Sequence, residues 1–135
     1  MEVAPSIAKS LGHSDATLAH VAYRGLAQLG AHESALAIFQ NANSSTPQIR
    51  GASLALMRIH KKEVIDAMLE NLKDKKNKLF RPSFEILARL HHQEKAWDRK
   101  HWGGRPDTRG PYYEMVTWEQ SDRILKALRN ALWKL

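Results

Sequence analysis

The sequence predicts an all-α domain: about three helix pairs stacked as a short right-handed solenoid, closed by an aromatic loop and a C-terminal helix. Three observations carry that expectation. Apolar residues recur at helical spacing over most of the first 97 positions. Helix-pair segments recur at an offset of about 30 residues. One later stretch, Trp97 to Trp118, breaks the pattern with three of the four Trp, two of the three Tyr and the adjacent Gly103 and Gly104.

The elements follow in order. Leu18, Val21, Ala22, Leu26 and Leu29 form one apolar stripe, which predicts a first long helix buried along it. Ser14 or Asp15 can cap its start, and Gly30 suits a left-handed end. A second helix covers about Glu33 to Gln40. Asn41 to Pro47 is a polar loop, with Thr46 and Pro47 placed as N-cap and first residue of a third helix carrying Ile49, Ala52, Leu56 and Ile59. The fourth carries Val64, Ile65, Met68, Leu69 and Leu72, with Glu63, Asp66 and Glu70 expected as solvated charges, and ends in the run Lys73 to Lys78. The fifth spans roughly Leu79 to Leu90, where Pro82 is tolerable only in the first turn. A short helix from Gln93 to about Lys100 is expected next.

The repeats align His20–Phe39 with Gly51–Glu70, so that Leu26 falls on Leu56, Leu29 on Ile59, Ala37 on Ala67 and Phe39 on Leu69. A third copy, Phe80 to Trp97, sets Leu87 on Leu56, Leu90 on Ile59, His91 on His60 and Glu94 on Glu63. Over residues 1–97 this pattern resembles the HEAT-repeat family in its short bacterial form. The resemblance implies helix pairs that bury their apolar faces only by stacking on neighbours.

Residues 98–117 read as an aromatic loop rich in Arg, Pro and Gly. Gly103 and Gly104 open conformations closed to other residues, Arg105 is held extended before Pro106, and Asp107 can pair with Arg105 or Arg109. Thr117 to Gln120 spell a capping box that predicts a last helix over 118–135. Its inner face is Trp118, Ser121, Leu125, Leu128 and Leu132, widened by Ile124 and Ala131. Loop and helix together are expected to cap the open end of the repeat stack.

Composition narrows the function classes. The chain has no Cys, which removes disulfides, thiolate metal sites, Cys nucleophiles and covalent c-type haem attachment. No apolar run approaches the roughly 20 residues that span a bilayer. The opening MEVAPSIAKS lacks the pattern of a signal peptide, and no compartment is legible. The net charge of +7 lies wholly beyond residue 70. Such asymmetry marks either a solvated face or a surface for nucleic acid or an acidic partner.

The segment Trp102 to Glu119, WGGRPDTRGPYYEMVTWE, resembles a stretch of large planctomycete-type multidomain proteins that join a dehydrogenase-like propeller, HEAT repeats and a c-type cytochrome domain. That resemblance implies a scaffold or docking role between redox domains. It assigns no redox residue and no cofactor here, since this sequence holds neither propeller nor haem motif. The candidate partner-binding set is Trp102, Arg105, Asp107, Arg109, Tyr112 and Tyr113: guanidinium forks and aromatic faces suited to an anion, a sugar or a carboxylate. The competing reading is a loop pinned by its own Arg–Asp pair. A second candidate is the basic patch Lys73, Lys75, Lys76, Lys78 and Arg81, suited to phosphates. Trp97, Asp98 and Trp102 invite comparison with HEAT-like DNA glycosylases but stand at the end of the last repeat. His91 and His92, adjacent on a helix, are expected to point about 100° apart and to serve a helix end, where positive charge is favoured. The expected function is a non-catalytic protein-interaction or inter-domain scaffold, not an enzyme, binding a protein or another domain of its parent chain. The alternative is nucleic-acid binding through the basic second half.

Overall fold

A computed structural model describes residues 3–94 and 115–133, and these are mostly helical. In chain order the helices are α1 (Val3–Ala8), α2 (Ala16–Leu29), α3 (His32–Gln40), α4 (Thr46–Leu56), α5 (Lys62–Asn71), α6 (Phe80–Leu90) and α7 (Ser121–Leu132). Between α6 and α7, β1 (Gln93–Glu94) pairs antiparallel with β2 (Met115–Val116), Gln93 opposite Val116. The all-α expectation holds, with this two-residue pair as its one departure among the described residues.

Local chemistry accounts for most boundaries. The Asp15 side chain accepts from the Thr17 amide at 2.8 Å and starts α2. Gly30 ends it at φ 61°, ψ 30°. The Gly30 and Ala31 amides donate back to the carbonyls of Ala27 and Leu26, the double bond of a Schellman end. At α4 the cap is Ser45, not Thr46. Ser45 Oγ accepts from the Gln48 amide at 3.3 Å, and Gln48 Oε1 accepts from the Ser45 amide at 2.7 Å. Only Ser45 stands three residues before Gln48, so only it can close a capping box. The basic run after α5 is a pair of Asx turns. Asp74 accepts from the Lys76 amide and Asn77 from the Leu79 amide, each at 2.9 Å, delivering the chain into α6.

The helices pack in succession. α2 lies on α4 and α4 on α6, while α3 contacts both α4 and α5, and α7 closes on α6. α1 covers α2 and α3. The repeat-equivalent Leu26, Leu56 and Leu87 are all fully buried, joined by Phe39, Ile65, Met68, Ile86, Leu90 and Ile124. Close approach sets one sequence choice in the core. A Cβ on Gly51 of α4 would stand 2.5 Å from the Leu11 carbonyl oxygen, so no larger residue fits beneath the α1–α2 connection.

Four expectations are corrected. The α2 stripe splits: Ala22 and Leu26 are buried, whereas Leu18, Val21 and Leu29 are 47%, 60% and 45% exposed. α1 and α4 both pack on α2, and the face they cover takes in Ala22 and Leu26 but not the ridge of Leu18, Val21 and Leu29. The helix expected from Gln93 does not form at its start, because Gln93 and Glu94 pair with β2; its remainder lies outside the described residues. The last helix begins at Ser121, not Trp118, and Gln120 makes no side-chain cap. The Ser121 hydroxyl takes the Trp118 amide instead, at 2.8 Å. Finally, Leu132 is exposed, and the inner face of α7 is Ser121, Ile124 and Ala131, flanked by Ala127 and Leu128.

Candidate functional site

The end of α6 organises this part of the molecule. A helix leaves its last carbonyls without intrahelical partners. At the end of α6 three side chains from distant positions supply partners, two to Leu90 and the C-cap His91 and one to His92 just past them. Trp118 Nε1 donates to the Leu90 carbonyl at 2.6 Å, Ser121 Oγ to His91 at 2.6 Å, and His60 Nε2 to His92 at 2.8 Å. A carbonyl only accepts, so the His60 proton sits on Nε2. The His60 ring also meets the Trp118 ring edge-to-face, with centroids 5.2 Å apart. The loop after α4, the end of α6 and the start of α7 thereby share one polar junction. An ion cluster braces it from outside: Asp66 of α5 takes Lys62 at 2.8 Å and Arg123 of α7 at 2.6 Å. The Lys62 hydrogen bond first, and then Arg123, hold the Asp66 carboxyl below its ordinary 3.8. Asp66 is therefore a tie between helices, not the solvated charge expected of it.

Beside this junction lies an open groove of about 680 Å³. Its cations are Arg24 of α2, Arg58 just past α4 and Arg89 of α6, and His60 and His92 also line it. Gln28 and Gln93 add amides, and Met57 and Met115 add flexible apolar surface. No carboxylate is among the described lining residues. The three Arg are exposed, and none makes an ion pair among the described residues. Arg58 is steadied by the Tyr23 ring, its guanidinium 5.9 Å from the centroid. Cations with no counter-ion among the described residues, around a concave, partly apolar surface, form an anion-binding arrangement.

The repeat offset that aligns Leu26, Leu56 and Leu87 also aligns Gln28, Arg58 and Arg89. That signal was present in the sequence, but attention to buried positions passed over it. Arg24 stands one turn before Gln28 on the same face of α2.

The expected sites fare differently. Trp102, Arg105, Asp107, Arg109, Tyr112 and Tyr113 lie outside the described residues, as do Trp97 and Asp98. Lys73, Lys75, Lys76, Lys78 and Arg81 are brought together, exposed, around the α5–α6 turn. They are partly neutralised: Lys73 pairs with Glu70 at 2.8 Å, Arg81 approaches Glu85 at 3.7 Å, and Asp74 sits within the turn. The patch and the groove occupy opposite ends of α6, about 16 Å apart for an eleven-residue helix.

The His91 and His92 rings do not diverge as helical neighbours would. Their centroids are 4.0 Å apart, because His91 is the C-cap of α6 and His92 lies past it. Nor is positive charge favoured at His91: burial first, then the charge of His92, lower its pKa below the ordinary 6.5 against the opposing pull of Asp122. Among the described residues no three His, Asp or Glu side chains gather as metal ligands would. No described helix is long and apolar enough to cross a membrane.

No family model, curated protein or solved structure matches this chain.

Proposed function

We propose that the chain is a non-catalytic interaction module, a short right-handed solenoid of HEAT-like helix pairs that docks a protein segment, either a separate partner or another part of its parent protein. The successive packing of α2, α4 and α6, with repeat-equivalent leucines at the same depth, supports the solenoid reading. The observation that carries the functional reading is the groove across those helices, lined by Arg24, Arg58 and Arg89 without a carboxylate among the described lining. Guanidiniums, amides and methionines bind and orient a ligand; they are not a nucleophile–base pair. The resemblance to HEAT segments of large redox proteins agrees with an inter-domain role and adds no residue to it.

The test is selection from a random peptide display library on the folded chain. Peptides that bind the native chain and lose binding to the Arg58→Glu/Arg89→Glu variant are the expected result. If no peptide is enriched while a short DNA duplex binds with steep salt dependence, the reading is wrong.

Nucleic-acid binding is the second reading, favoured by the exposed Lys75, Lys76 and Lys78 of the α5–α6 turn, none of which makes an ion pair among the described residues. It requires affinity that falls linearly in log–log terms with salt and that is lost on neutralising those lysines.

A further inference from the structure

We propose that the groove takes an extended, acidic polypeptide segment whose carboxylates recur at every third residue, one for each of Arg24, Arg58 and Arg89. This rests on the interaction-module reading above and names the chemistry of the partner.

The argument starts from spacing. Arg24 lies on α2, Arg58 just past the end of α4 and Arg89 on α6, and α2 and α6 each pack on α4. Packed helix axes lie about 8–10 Å apart. An extended chain advances about 3.1–3.4 Å per residue, so three residues cover about 9–10 Å. On that helix spacing, the proposed segment crosses from α2 past the end of α4 to α6 with about every third side chain offered to the next guanidinium.

Ligand chemistry follows from residue type. Among the described residues the lining cations are Arg with no Lys, and the planar guanidinium fork matches a carboxylate through two parallel hydrogen bonds. In the same lining, Met57 and Met115 offer adaptable apolar contact to the intervening side chains. Gln28 and Gln93 can meet the ligand's backbone amide and carbonyl groups. A single-stranded nucleic acid would instead want aromatic platforms for its bases. Among the described lining residues the rings are the two imidazoles, and His60 is already committed to the His92 carbonyl and the Trp118 face.

The test uses the full chain and fluorescently labelled synthetic peptides followed by polarisation. Glu-Pro-Pro-Glu-Pro-Pro-Glu stays extended and sets its carboxylates at the required interval. It is expected to bind, and its Gln-Pro-Pro-Gln-Pro-Pro-Gln counterpart to bind at least about tenfold more weakly. Each of R24Q, R58Q and R89Q removes one partly exposed pair, with an expected weakening of about two- to fivefold, and the triple variant about tenfold or more. The charge-matched K75Q/K76Q/K78Q variant changes the wrong end of α6 and is expected to leave affinity within about twofold. Thermal melts of each variant verify folding, which these exposed positions do not threaten. Equal binding of the Gln peptide, or an unaffected triple variant, overturns the acidic-ligand inference. The interaction-module reading survives that result if the display selection still enriches peptides of another character. A DNA duplex that binds and is lost in the triple Arg variant overturns both.

Discussion

α2 and α6 both pack on α4, yet their C-termini are closed by opposite means. α2 ends on Gly30, whose left-handed backbone turns the chain so that its own next amides reach Ala27 and Leu26. All the required atoms lie within six residues. α6 has no such glycine. Its terminal carbonyls are met by Trp118, Ser121 and His60, between 28 and 32 residues away. A local end stabilises one helix and nothing else. The end of α6 stabilises a helix by holding two other parts of the chain against it, so disturbing it loosens α7 and the α4–α5 connection together. The Arg groove lies against this second kind of end, with His60 and His92 serving both.

The largest expected effect tests that contrast directly. Trp118→Ala removes a partly buried indole, its contact with His60 and the donor to Leu90. A loss of about 3 kcal/mol is expected, at the low end for Trp truncation because Trp118 is only partly enclosed. Ser121→Ala, which removes a buried hydroxyl and orphans the part-buried His91 carbonyl, is expected to cost about 1–2 kcal/mol. The two residues share one junction, so the double variant should cost less than the sum of the singles. Urea midpoints with an unchanged slope are the readout. A Trp118→Ala loss no larger than that of the Gly30 variant below would show that the distant cap contributes no more than a local one.

Gly30→Ala is the matching change at the local end. The nearest atoms to a new Cβ are in the Lys61 side chain at 3.8 Å, an ordinary contact, so the cost is conformational alone. About 1 kcal/mol is expected for holding alanine at φ 61°. Gly30→Asn should recover part of it, since Asn tolerates that region better. Peptide binding in the groove should not change with either substitution.

The same contrast explains what was legible in the sequence. Asp15, Gly30 and the α4 start announce themselves because each acts within a few residues, and even the shift from Thr46 to Ser45 is a choice between adjacent hydroxyls. The mid-helix core positions Leu26, Leu56 and Leu87 were readable from periodicity, which reports a face. α2 shows the limit of that signal. Its apolar residues outnumber the positions its neighbours cover, and only packing decides that Ala22 goes in while Val21 stays out. The start of α7 misled for a related reason. Thr117 and Gln120 spell a local cap, but Ser121 is drawn to the His91 carbonyl, and the helix begins where that bond puts it. The groove was half visible: Gln28, Arg58 and Arg89 recur with the repeat, while Arg24 and the histidines join them only through the stacking.

The smallest effect concerns His91, which sits at the distant cap and has no counterpart at Gly30. Its folded-state pKa lies below the ordinary 6.5, chiefly through burial and secondarily through His92. In the window below 6.5 the unfolded chain therefore binds more protons at this site than the folded one. Stability is fullest above about pH 6.5 and declines as pH falls from there through the folded value. Asp66 acts in a separate, lower window: its carboxyl is held below 3.8, so its contribution persists until pH falls through that range. Comparing melts between about pH 7.5 and 5.5 isolates the histidine. His91→Gln is expected to flatten that slope while leaving the Ser121 bond to the residue 91 carbonyl intact, because the backbone makes it. An unchanged slope would mean that protonation at the α6 end is absorbed without strain, and the junction would then be held by its three hydrogen bonds irrespective of charge.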